Sequence, residues 1–541
     1  MELNIADLFE MVVDTVPERE ALICGNARYT YADLDREANR LAHFLAEKGV
    51  KAGEHVGMYL YNGAEYLVAV LATFKIRAVP VNVNYRYVED ELAYLLADSD
   101  LVALFYQREL GSRVAGLKSR VPKVRVLIEV EDGSEASRVL PEAVRYADAL
   151  AAGSSERGFP PRSGKDIYII YTGGTTGMPK GVMWRHEDVF YAGLQGGNPG
   201  GPPIARGEDL VEIVRGGMGL TVLPSAPFIH GAAQWASLIG FFGGGKVVVQ
   251  GGKSFDPKTV ARLIRDEKVN TLTLVGDAMA RPLGEAVEAM GEDADTSSVF
   301  VIGSAGAVLS EAVKEQLRRS KPSAMVVDSF GATETGHQGS MMAGTGHGAG
   351  QVPLFFMNDT NCVFDDEMKP VVPGSGVMGR LARRGHIPVG YYNDPEKTAK
   401  TFFEIDGVRW VMPGDLATVE SDGCIRVFGR GSVCINSGGE KIFPEEVEAA
   451  LKAHPDVLDA VVVGIPDERW GQRVAALVQA RAGASPSIED LDRHCRTKVA
   501  GYKIPRFVRF VDQVMRQPSG KPDYRWAAAY AAEQAASGAT S

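Results

Sequence analysis

The eleven residues YTGGTTGMPKG at 171–181 are the most informative stretch of this sequence. They directly follow the apolar run IYII, which predicts a buried strand. Glycines at this spacing let the backbone turn tightly and present its N–H groups to an anion. The threonine hydroxyls add donors, and Lys180 adds a positive charge. A polyphosphate is the ligand that this chemistry suits.

The loop is not the Walker phosphate loop, which requires G-x-x-x-x-G-K-[ST]. Here Pro179 stands between Gly177 and Lys180, and Gly181 follows the lysine. The residues predicted to bind phosphate are Thr172, Gly173, Gly174, Thr175, Thr176, Gly177 and Lys180.

Strand-like and helix-like patterns alternate outward from this loop. Apolar residues share one helical face over 5–16, and Thr30 with Asp33 is typical of a helix N-terminal capping pair. This βαβ rhythm predicts parallel sheet with helices on its faces. Strands are expected at 55–61, 78–83, 167–171, 246–249, 271–275 and 325–328.

The sequence changes character near Arg430, which predicts a domain of residues 1–430 and a second of residues 431–541. The second has the pattern of a compact αβ domain. Residues 193–217 are rich in Gly and Pro without periodicity and predict a surface loop or lid. The alanine-rich tail after 526 is expected to fray.

Composition narrows the class of protein. The chain has 541 residues and a formal net charge of −11, which argues against sequence-independent binding of nucleic acid. Its five cysteines lie far apart without a CxxC pair, which favours a reducing cytoplasm. The N-terminus lacks the form of a signal peptide, and no apolar run reaches the ~18 residues of a membrane span. Peripheral membrane contact and a homodimer stay open.

In its loop the chain resembles the acyl-adenylate-forming superfamily of acyl-CoA synthetases, carrier-protein adenylation domains and beetle luciferases. The family's loop reads Y-T-S-G-T-T-G-x-P-K-G, and Gly173 replaces its serine. The resemblance covers essentially the whole chain. It implies an α/β fold: a large N-terminal domain of parallel and mixed sheets with packed helices and a distorted β-barrel, then a small mobile α+β C-terminal domain. It also implies ATP, Mg²⁺ and coenzyme A.

DSFGATE at 328–334 resembles the family's Y-G-x-T-E element, with Phe330 in place of tyrosine. By this resemblance Phe330 stacks on adenine, Thr333 contacts phosphate and Glu334 holds Mg²⁺, a cation that takes carboxylate oxygens. The other residues implied in the nucleotide pocket are Ala305, Gly306, Ala307, Asp328, Ser329 and Gly331.

Two further motifs complete the implied site. WVMPGD at 410–415 resembles W-x-x-T-G-D, so Asp415 would bind the ribose hydroxyls, and Arg430 after Gly429 would reach ribose or phosphate. PSGK at 518–521 resembles P-x-x-G-K, whose lysine is catalytic in the family. Lys521 would bridge the carboxylate substrate and the α-phosphate during adenylation.

The resemblance further implies that the C-terminal domain rotates between two half-reactions. Lys521 serves the first and leaves before the thiol of coenzyme A enters. Ser432 stands at the hinge where the family has Asp or Lys. The family's S-G-G-E loop, which lines the thiol tunnel, is matched by Ser437, Gly438, Gly439 and Glu440.

PFIHG at 227–231 resembles the family's P-x-F-H-x-x-G region with the histidine displaced by one residue. His230 is predicted to gate the acyl pocket or to position the carboxylate, and the alternative is an ordinary core histidine. Small residues follow it and leave volume for a bulky acid, although Gly243, Gly244 and Gly245 alternatively form a turn. The chain looks most similar to bacterial long-chain and steroid side-chain acyl-CoA synthetases.

The predicted activity is therefore that of an ATP-dependent acid–thiol ligase. A hydrophobic carboxylic acid attacks ATP to give acyl-AMP and pyrophosphate, and the acyl group passes to coenzyme A. The sequence shows no nucleophile elbow of the G-x-S-x-G type. Three alternatives stay open: an acyl-AMP ligase that loads a free-standing carrier protein, a luciferase-like oxygenase and a non-catalytic sensor.

Overall fold

A computed structural model describes residues 3–87, 89–174, 177–307, 309–321, 323–342, 354–437, 440–467, 470–517 and 520–537. Among these residues the strands form sheets of fifteen, eight and five strands.

Residues up to 152 follow the predicted βαβ rhythm. Their elements are α1 (Ile5–Thr15), β1 (Glu20–Cys24), β2 (Ala27–Thr30), α2 (Tyr31–Glu47), β3 (His55–Tyr59), α3 (Ala64–Lys75), β4 (Val79–Asn82), α4 (Glu89–Asp98), β5 (Leu101–Gln107), α5 (Gly111–Leu117), β6 (Val126–Val130), β7 (Val144–Arg145) and α6 (Tyr146–Ala152). The predicted capping pair is present, since Thr30 accepts from the Asp33 amide and Asp33 accepts from that of Thr30.

The middle of the chain carries the phosphate loop and the DSFGATE motif. Its elements are β8 (Ile167–Gly174), β9 (Gly177–Arg185), α7 (His186–Ala192), α8 (Gly207–Gly216), β10 (Thr221–Pro224), α9 (Gly231–Phe242), β11 (Lys246–Val249), α10 (Pro257–Glu267), β12 (Thr271–Leu274), α11 (Gly276–Met290), β13 (Val301–Ala305), α12 (Glu311–Ser320), β14 (Met325–Ala332) and β15 (Gly336–Met342).

A mainly antiparallel region follows and leads into the C-terminal part. Its elements are β16 (Leu354–Met357), β17 (Asn361–Phe364), β18 (Gly379–Arg384), β19 (Gly390–Tyr391), α13 (Pro395–Thr401), β20 (Phe402–Ile405), β21 (Val408–Val411), β22 (Asp415–Val419) and β23 (Ile425–Arg430). The C-terminal part contains β24 (Ile435–Ser437), β25 (Glu440–Ile442), α14 (Pro444–Lys452), β26 (Val457–Asp467), β27 (Gly471–Ala480), α15 (Ile488–Arg496), β28 (Phe507–Phe510) and α16 (Tyr524–Ala536).

The sheet topology is mixed, as predicted. The eight-stranded sheet runs β19-β9-β8-β4-β3-β5-β6-β7, with β4, β3, β5 and β6 parallel and β8 antiparallel to β9. In the fifteen-stranded sheet, β1, β11, β10, β12, β13 and β14 are parallel neighbours. Its later strands pair antiparallel from β14 to β20. The pairings between the described strands follow an open path, and the distorted barrel stays a prediction.

Two local predictions are wrong. Residues 193–217 are not a loop throughout, because 207–216 form α8, whose Leu210 and Val214 lie one helical turn apart and are buried. Gly207 of this helix packs against Met11 of α1. The alanine-rich tail is also helical: α16 buries Ala527 and Ala531 against the C-terminal sheet. In both cases tertiary packing of a short apolar face outweighs a weak local pattern.

A buried lysine joins the first three helices. Lys75 of α3 has a fully buried side chain, and its ammonium donates to Glu10 of α1 and, at 2.7 Å, to Asp35 of α2. Arg162 and Arg157 pair with the same two carboxylates. Removing one partner from such a buried network leaves charge without compensation.

We therefore expect Lys75→Met to cost about 3–5 kcal/mol of stability, because Glu10 and Asp35 lose their shared cation. Differential scanning calorimetry should show a lower Tm for the affected transition. Lys51→Met, at an exposed position in the turn before β3, serves as the matched control and should leave the Tm within a degree or so. An unchanged Tm for Lys75→Met would contradict the assigned contribution.

Candidate functional site

The phosphate loop lies in a β-hairpin. β8 and β9 pair antiparallel with Tyr171 opposite Gly181, Thr172 opposite Lys180 and Gly174 opposite Gly177. Thr175 and Thr176, which carry two of the predicted donors, lie outside the described residues. The described residues of the loop therefore belong to two paired strands of a sheet rather than to a helix N-terminus.

A buried asparagine holds the hairpin in place. Asn82 ends β4, and its amide nitrogen donates to the carbonyls of Tyr171 at 2.8 Å and Ile229 at 2.6 Å. Its amide oxygen accepts from the Tyr171 N–H at 2.7 Å. Since Ile229 immediately precedes His230, this one side chain fixes the phosphate hairpin relative to the histidine turn.

The predicted Thr333-Glu334 pair lies in the turn between β14 and β15. The Trp184 indole N–H on β9 donates to the Thr333 carbonyl at 2.9 Å, which brings this turn beside the phosphate hairpin. Glu334 is only 5% exposed, and its carboxylate accepts from the Tyr391 hydroxyl at 3.0 Å. The Lys180 ammonium lies 5.7 Å from the centre of the Tyr391 ring. Lys180, Thr333 and Glu334 therefore share one region.

The surroundings of Lys180 disfavour its charged form. Burial and the neighbouring charge of Lys397 lower the pKa of Lys180, while Asp394 and Glu334 oppose the shift. An anion placed between these groups would restore the preference for the charged ammonium. A polyphosphate meets that requirement.

Glu334 is a suitable ligand for a nucleotide-bound Mg²⁺. Among the described residues no group of three or more His, Cys, Asp or Glu side chains could hold a metal by itself. Mg²⁺ commonly binds through one or two carboxylates together with substrate phosphates and waters, so a single buried carboxylate beside a phosphate hairpin fits.

The residues predicted to surround adenine lie on two parallel neighbours. Ala305 ends β13 and pairs with Ser329 of β14, and Gly306 and Ala307 follow directly. Phe330 is half-buried, with its ring 5.4 Å from that of Phe355. Gly331 is also predicted to lie in the adenine pocket. Its position excludes a side chain, because a Cβ there would lie 2.2 Å from the Gly336 carbonyl oxygen.

Asp328 has a different environment from its neighbours on β14. It is 4% exposed and pairs with Lys314 of α12 at 3.4 Å. Burial raises the pKa of Asp328 to about 7 even though Lys314 opposes the shift. Contact between Asp328 and the nucleotide stays a prediction, and its observed partner is Lys314.

Asp415 and Arg430 are register partners on two neighbouring strands. Asp415 begins β22, is 7% exposed, and stands in register with Arg430 at the end of β23. Next to Arg430, a Cβ on Gly429 would lie 2.2 Å from the carboxylate of Glu445 on α14. Burial, with Glu448 and Asp415 adding repulsion, raises the pKa of Glu445 to about 8. The predicted ribose site therefore adjoins the contact between the N-terminal and C-terminal parts.

Lys521 approaches the site from the C-terminal part. Its neighbour Gly520 has φ +76°, and a Cβ there would meet Val275 at 2.8 Å, so this position requires glycine on both grounds. The exposed Lys521 lies close enough to His230 for its charge to act on the imidazole.

His230 is the N-cap residue of α9, and its side chain does not cap the helix. Its Nε2 is buried without a hydrogen-bond partner among the described residues. Burial first, and then the charges of Lys521 and Arg86, lower the pKa of His230 to about 4. The imidazole is therefore neutral at physiological pH, with one ring nitrogen available to a ligand.

The remaining predicted residues belong to the C-terminal sheet. Ser437 is 9% exposed, ends β24 and pairs with Glu440 and Gly471. Gly438 and Gly439 lie outside the described residues. Their role in a thiol tunnel stays a prediction.

Sequence reasoning missed three residues that hold this site together. Asn82, Trp184 and Tyr391 contact partners that lie 89, 149 and 57 positions away in the chain. Only the position of Asn82 at the carboxyl end of a predicted parallel strand offered a signal, because that end of a sheet is where ligand sites form.

Comparison with known proteins agrees with this arrangement. The model of the AMP-binding enzyme family matches residues 9–392, and that of the AMP-binding enzyme C-terminal domain matches residues 446–521. The chain belongs to the AMP-binding enzyme family.

Two relatives match nearly the whole chain. It is 48% identical over 531 residues to the medium/long-chain-fatty-acid–CoA/3-oxocholest-4-en-26-oate–CoA ligase of Mycobacterium tuberculosis strain H37Rv, covering 97% of this chain and 95% of that one. It is 47% identical over 537 residues to the 3-oxocholest-4-en-26-oate–CoA ligase of Rhodococcus rhodochrous, covering 97% and 96%.

Solved structures share the fold at lower identity. The anthranilate CoA ligase AuaEII in complex with anthranoyl-AMP superposes with a TM-score of 0.84 at 23% identity, covering 99% of this chain and 98% of that one. ATP-bound MatB from Rhodopseudomonas palustris gives a TM-score of 0.82 at 23% identity, covering 98% and 99%. Among the described residues of this chain, every helix is too short or too polar to span a bilayer.

The lowered pKa of His230 makes a prediction about acid stability. The unfolded chain takes up this proton near pH 6.5 and the folded protein only near pH 4, so the free energy of unfolding falls as pH drops through this window. His230→Gln should remove about 2 kcal/mol of that loss at pH 5.

The measurement is Tm as a function of pH. The wild-type and His230→Gln curves should run parallel above pH 7.5, and the wild type should fall more steeply between pH 6.5 and 5. Identical slopes in that window would show that His230 titrates normally and is not shielded as described.

Proposed function

We propose that this protein is an AMP-forming acyl-CoA ligase that activates a large apolar carboxylic acid. The observation that carries the proposal is that Asn82 joins two groups of residues through Tyr171 and Ile229. One group is Lys180 and Glu334 beside Tyr391, and the other is His230 with the charge of Lys521 near it. The two relatives described above are named as ligases of fatty acids and of a steroid side-chain acid.

In the first half-reaction, a carboxylate oxygen of the acid attacks the α-phosphorus of ATP. The bond between the α-phosphorus and the β-bridging oxygen breaks, and pyrophosphate leaves with the electron pair. The hairpin of β8 and β9, with Lys180, holds the polyphosphate, and Glu334 holds Mg²⁺, which neutralises phosphate charge when bound. Lys521 stabilises the charge that builds between the carboxylate and the α-phosphate. Positioning and charge neutralisation account for the rate, because no covalent enzyme intermediate is needed.

In the second half-reaction, the sulfur of coenzyme A attacks the acyl carbon and AMP leaves. Lys521 lies near enough to His230 for its charge to act on the imidazole. We infer that the C-terminal part withdraws before a thiol enters. We infer a boundary near residue 430, with residues 1–430 holding the nucleotide and residues 431–541 moving as the smaller domain. Ser432 lies at that boundary and Gly431 beside it supplies backbone freedom.

An apolar stripe on α9 supports a bulky apolar acid. Ala232, Trp235, Ala236 and Ile239 share one helical face and are all half-buried, whereas their neighbours on α9 are buried. The Trp235 ring packs edge-on against Trp184, which in turn donates to Thr333. The apolar stripe therefore begins beside the turn that carries Thr333 and Glu334. Other small residues have packing roles, since Gly240 lies against Val247 and Gly243–Gly245 form the turn before β11.

Loading of a free-standing carrier protein is the competing function. The two relatives are named as CoA ligases, which favours coenzyme A as the acceptor. All five cysteines lie among the described residues, and no disulfide joins any of them there, which supports the proposed location in a reducing cytoplasm.

Lys521→Ala tests the assignment of the lysine to the first step. Formation of acyl-AMP, trapped as hydroxamate, should fall by about 10²–10³-fold, because charge on the transition state loses its partner. Thioester formation from pre-made acyl-AMP should stay within a few-fold of wild type. Lys498→Ala, an exposed lysine of the same part of the chain, is the matched control for both steps. Equal losses in both half-reactions would contradict the assignment.

Ala236→Phe tests the acyl stripe. The added ring should lower kcat/KM for a C16 acid and a cholestenoic acid at least tenfold, because the lost volume cannot be recovered in a packed pocket. Butyrate should be affected less than threefold and serves as the internal control. A uniform loss across all chain lengths would show that α9 does not line the acyl site, and coenzyme A-dependent AMP release is the assay.

A further inference from the structure

Lys521 lies in a hairpin between Arg516 and Pro522. Backbone bonds join Gln517 N–H to the Lys521 carbonyl at 2.8 Å and Gly520 N–H to the Gln517 carbonyl at 2.8 Å. Arg516 pairs with Pro522 as an isolated antiparallel bridge. These bonds fix the shape of the hairpin, but they do not fix where it points.

Arg516 links the hairpin to the sheet beneath it. Its side chain is 16% exposed, and Nε and one terminal nitrogen donate to the two oxygens of Asp459, both at 2.7 Å. The other terminal nitrogen donates to the Gly520 carbonyl at 2.8 Å. The guanidinium thus joins Asp459 on one side to the residue before Lys521 on the other. Only a planar guanidinium, with its N–H donors in a fixed fork, makes these three hydrogen bonds together.

Asp459 is presented to Arg516 by an irregularity in the sheet. The register between β26 and β27 shifts between Val457 and Asp459, as at a β-bulge, which redirects a side chain. Asp459 is paired with Gln479, whose side-chain oxygen accepts from the Val514 N–H at 3.1 Å. Although burial favours the neutral acid, Arg516 and Lys452 hold the pKa of Asp459 below its usual value. The Asp459 carboxylate is therefore ionised at the pH at which the enzyme works.

The same hairpin makes the contact with the N-terminal part. Gly520 packs on Val275, immediately before α11, and Asp277 in the first turn of α11 lies near enough for its charge to act on Arg516. The charges of Asp459 and of Glu448 on α14 also act on Arg516. Arg516 consequently lies between the sheet that carries the hairpin and the surface on which Lys521 docks.

We propose that Arg516, seated on Asp459, is a positioning residue that sets Lys521 in place for acyl-AMP formation. The inference rests on the proposed role of Lys521. Arg516 acts on the lysine through the Gly520 carbonyl and does not touch the reacting atoms. Because Lys521 takes no part once the thiol enters, Arg516 is dispensable in the second half-reaction.

The test compares three variants of the full-length protein in both half-reactions. Arg516→Ala should lower acyl-AMP formation about 100-fold, the effect expected from a small misplacement of a catalytic group. Thioester formation from pre-made acyl-AMP should change less than threefold. Arg516→Lys keeps a charge for Asp459 but cannot make all three bonds, so it should recover the Tm without recovering acyl-AMP formation. Asp459→Asn should behave as Arg516→Ala does, to a smaller extent.

Arg496→Ala is the matched control, since Arg496 makes a bidentate pair with Asp492 on the exposed face of α15 in the same part of the chain. It should leave both half-reactions unchanged. Should Arg516→Ala fail to fold, Arg516→Lys and Asp459→Asn decide the question.

Two outcomes would overturn the proposal: full acyl-AMP formation by Arg516→Lys, or equal losses in the two half-reactions for a folded variant. Lys521→Ala separates this failure from failure of the proposed function. If Lys521→Ala loses acyl-AMP formation while the Arg516 variants keep it, only the positioning role is wrong. If Lys521→Ala keeps it, the proposed function itself is wrong.

Discussion

The side-chain amide of Asn82 is buried, and its hydrogen bonds set the geometry on which the N-terminal half of the site depends. Three hydrogen bonds of 2.6–2.8 Å join the end of β4 to Tyr171 on the phosphate hairpin and to Ile229 before His230. An apolar side chain there would leave buried backbone groups of Tyr171 and Ile229 without partners, which is costly. Asn82 therefore determines the distance between the predicted phosphate-binding hairpin and the predicted carboxylate-binding His230. It has no chemical role of its own in the proposed reaction.

The two parts of the chain contribute different things to the reaction. The N-terminal part supplies a rigid cradle: a hairpin at a sheet edge, a buried carboxylate held by Tyr391, and a neutral histidine. In the proposed mechanism the C-terminal part supplies the charge of Lys521, on a hairpin whose Gly520 touches Val275. In the proposed reaction this site has to admit two different nucleophiles in turn, and movement of the C-terminal part would allow it.

Local features of this chain were readable from its sequence, and long-range ones were not. The capping pair at Thr30 and the parallel strands follow from short patterns, as confirmed in the structure. The helix over 207–216 escaped because only Leu210 and Val214 mark its buried face among the glycines and acids around it. The helix over 524–536 escaped because alanines give almost no amphipathic contrast, although two of them pack against the sheet.

The residues that support the site were not predicted from the sequence, for another reason. Tyr391 and Glu334 lie 57 positions apart, as do Arg516 and Asp459, and nothing local in either pair indicates its partner. Motif resemblance proposes which residues face the substrates, and those assignments stay predictions. It could not predict what holds those residues in place, since such contacts arise only when the sheets are assembled.

The central claim is that a carboxylate of an apolar acid attacks the α-phosphorus of ATP. Incubation of a long-chain or steroid acid, labelled with ¹⁸O in both carboxylate oxygens, with ATP, Mg²⁺ and coenzyme A tests it directly by mass spectrometry. The account predicts one ¹⁸O in each AMP released, unlabelled pyrophosphate and a thioester that retains the other ¹⁸O. Release of ADP with label in inorganic phosphate, or of AMP without label, would contradict it.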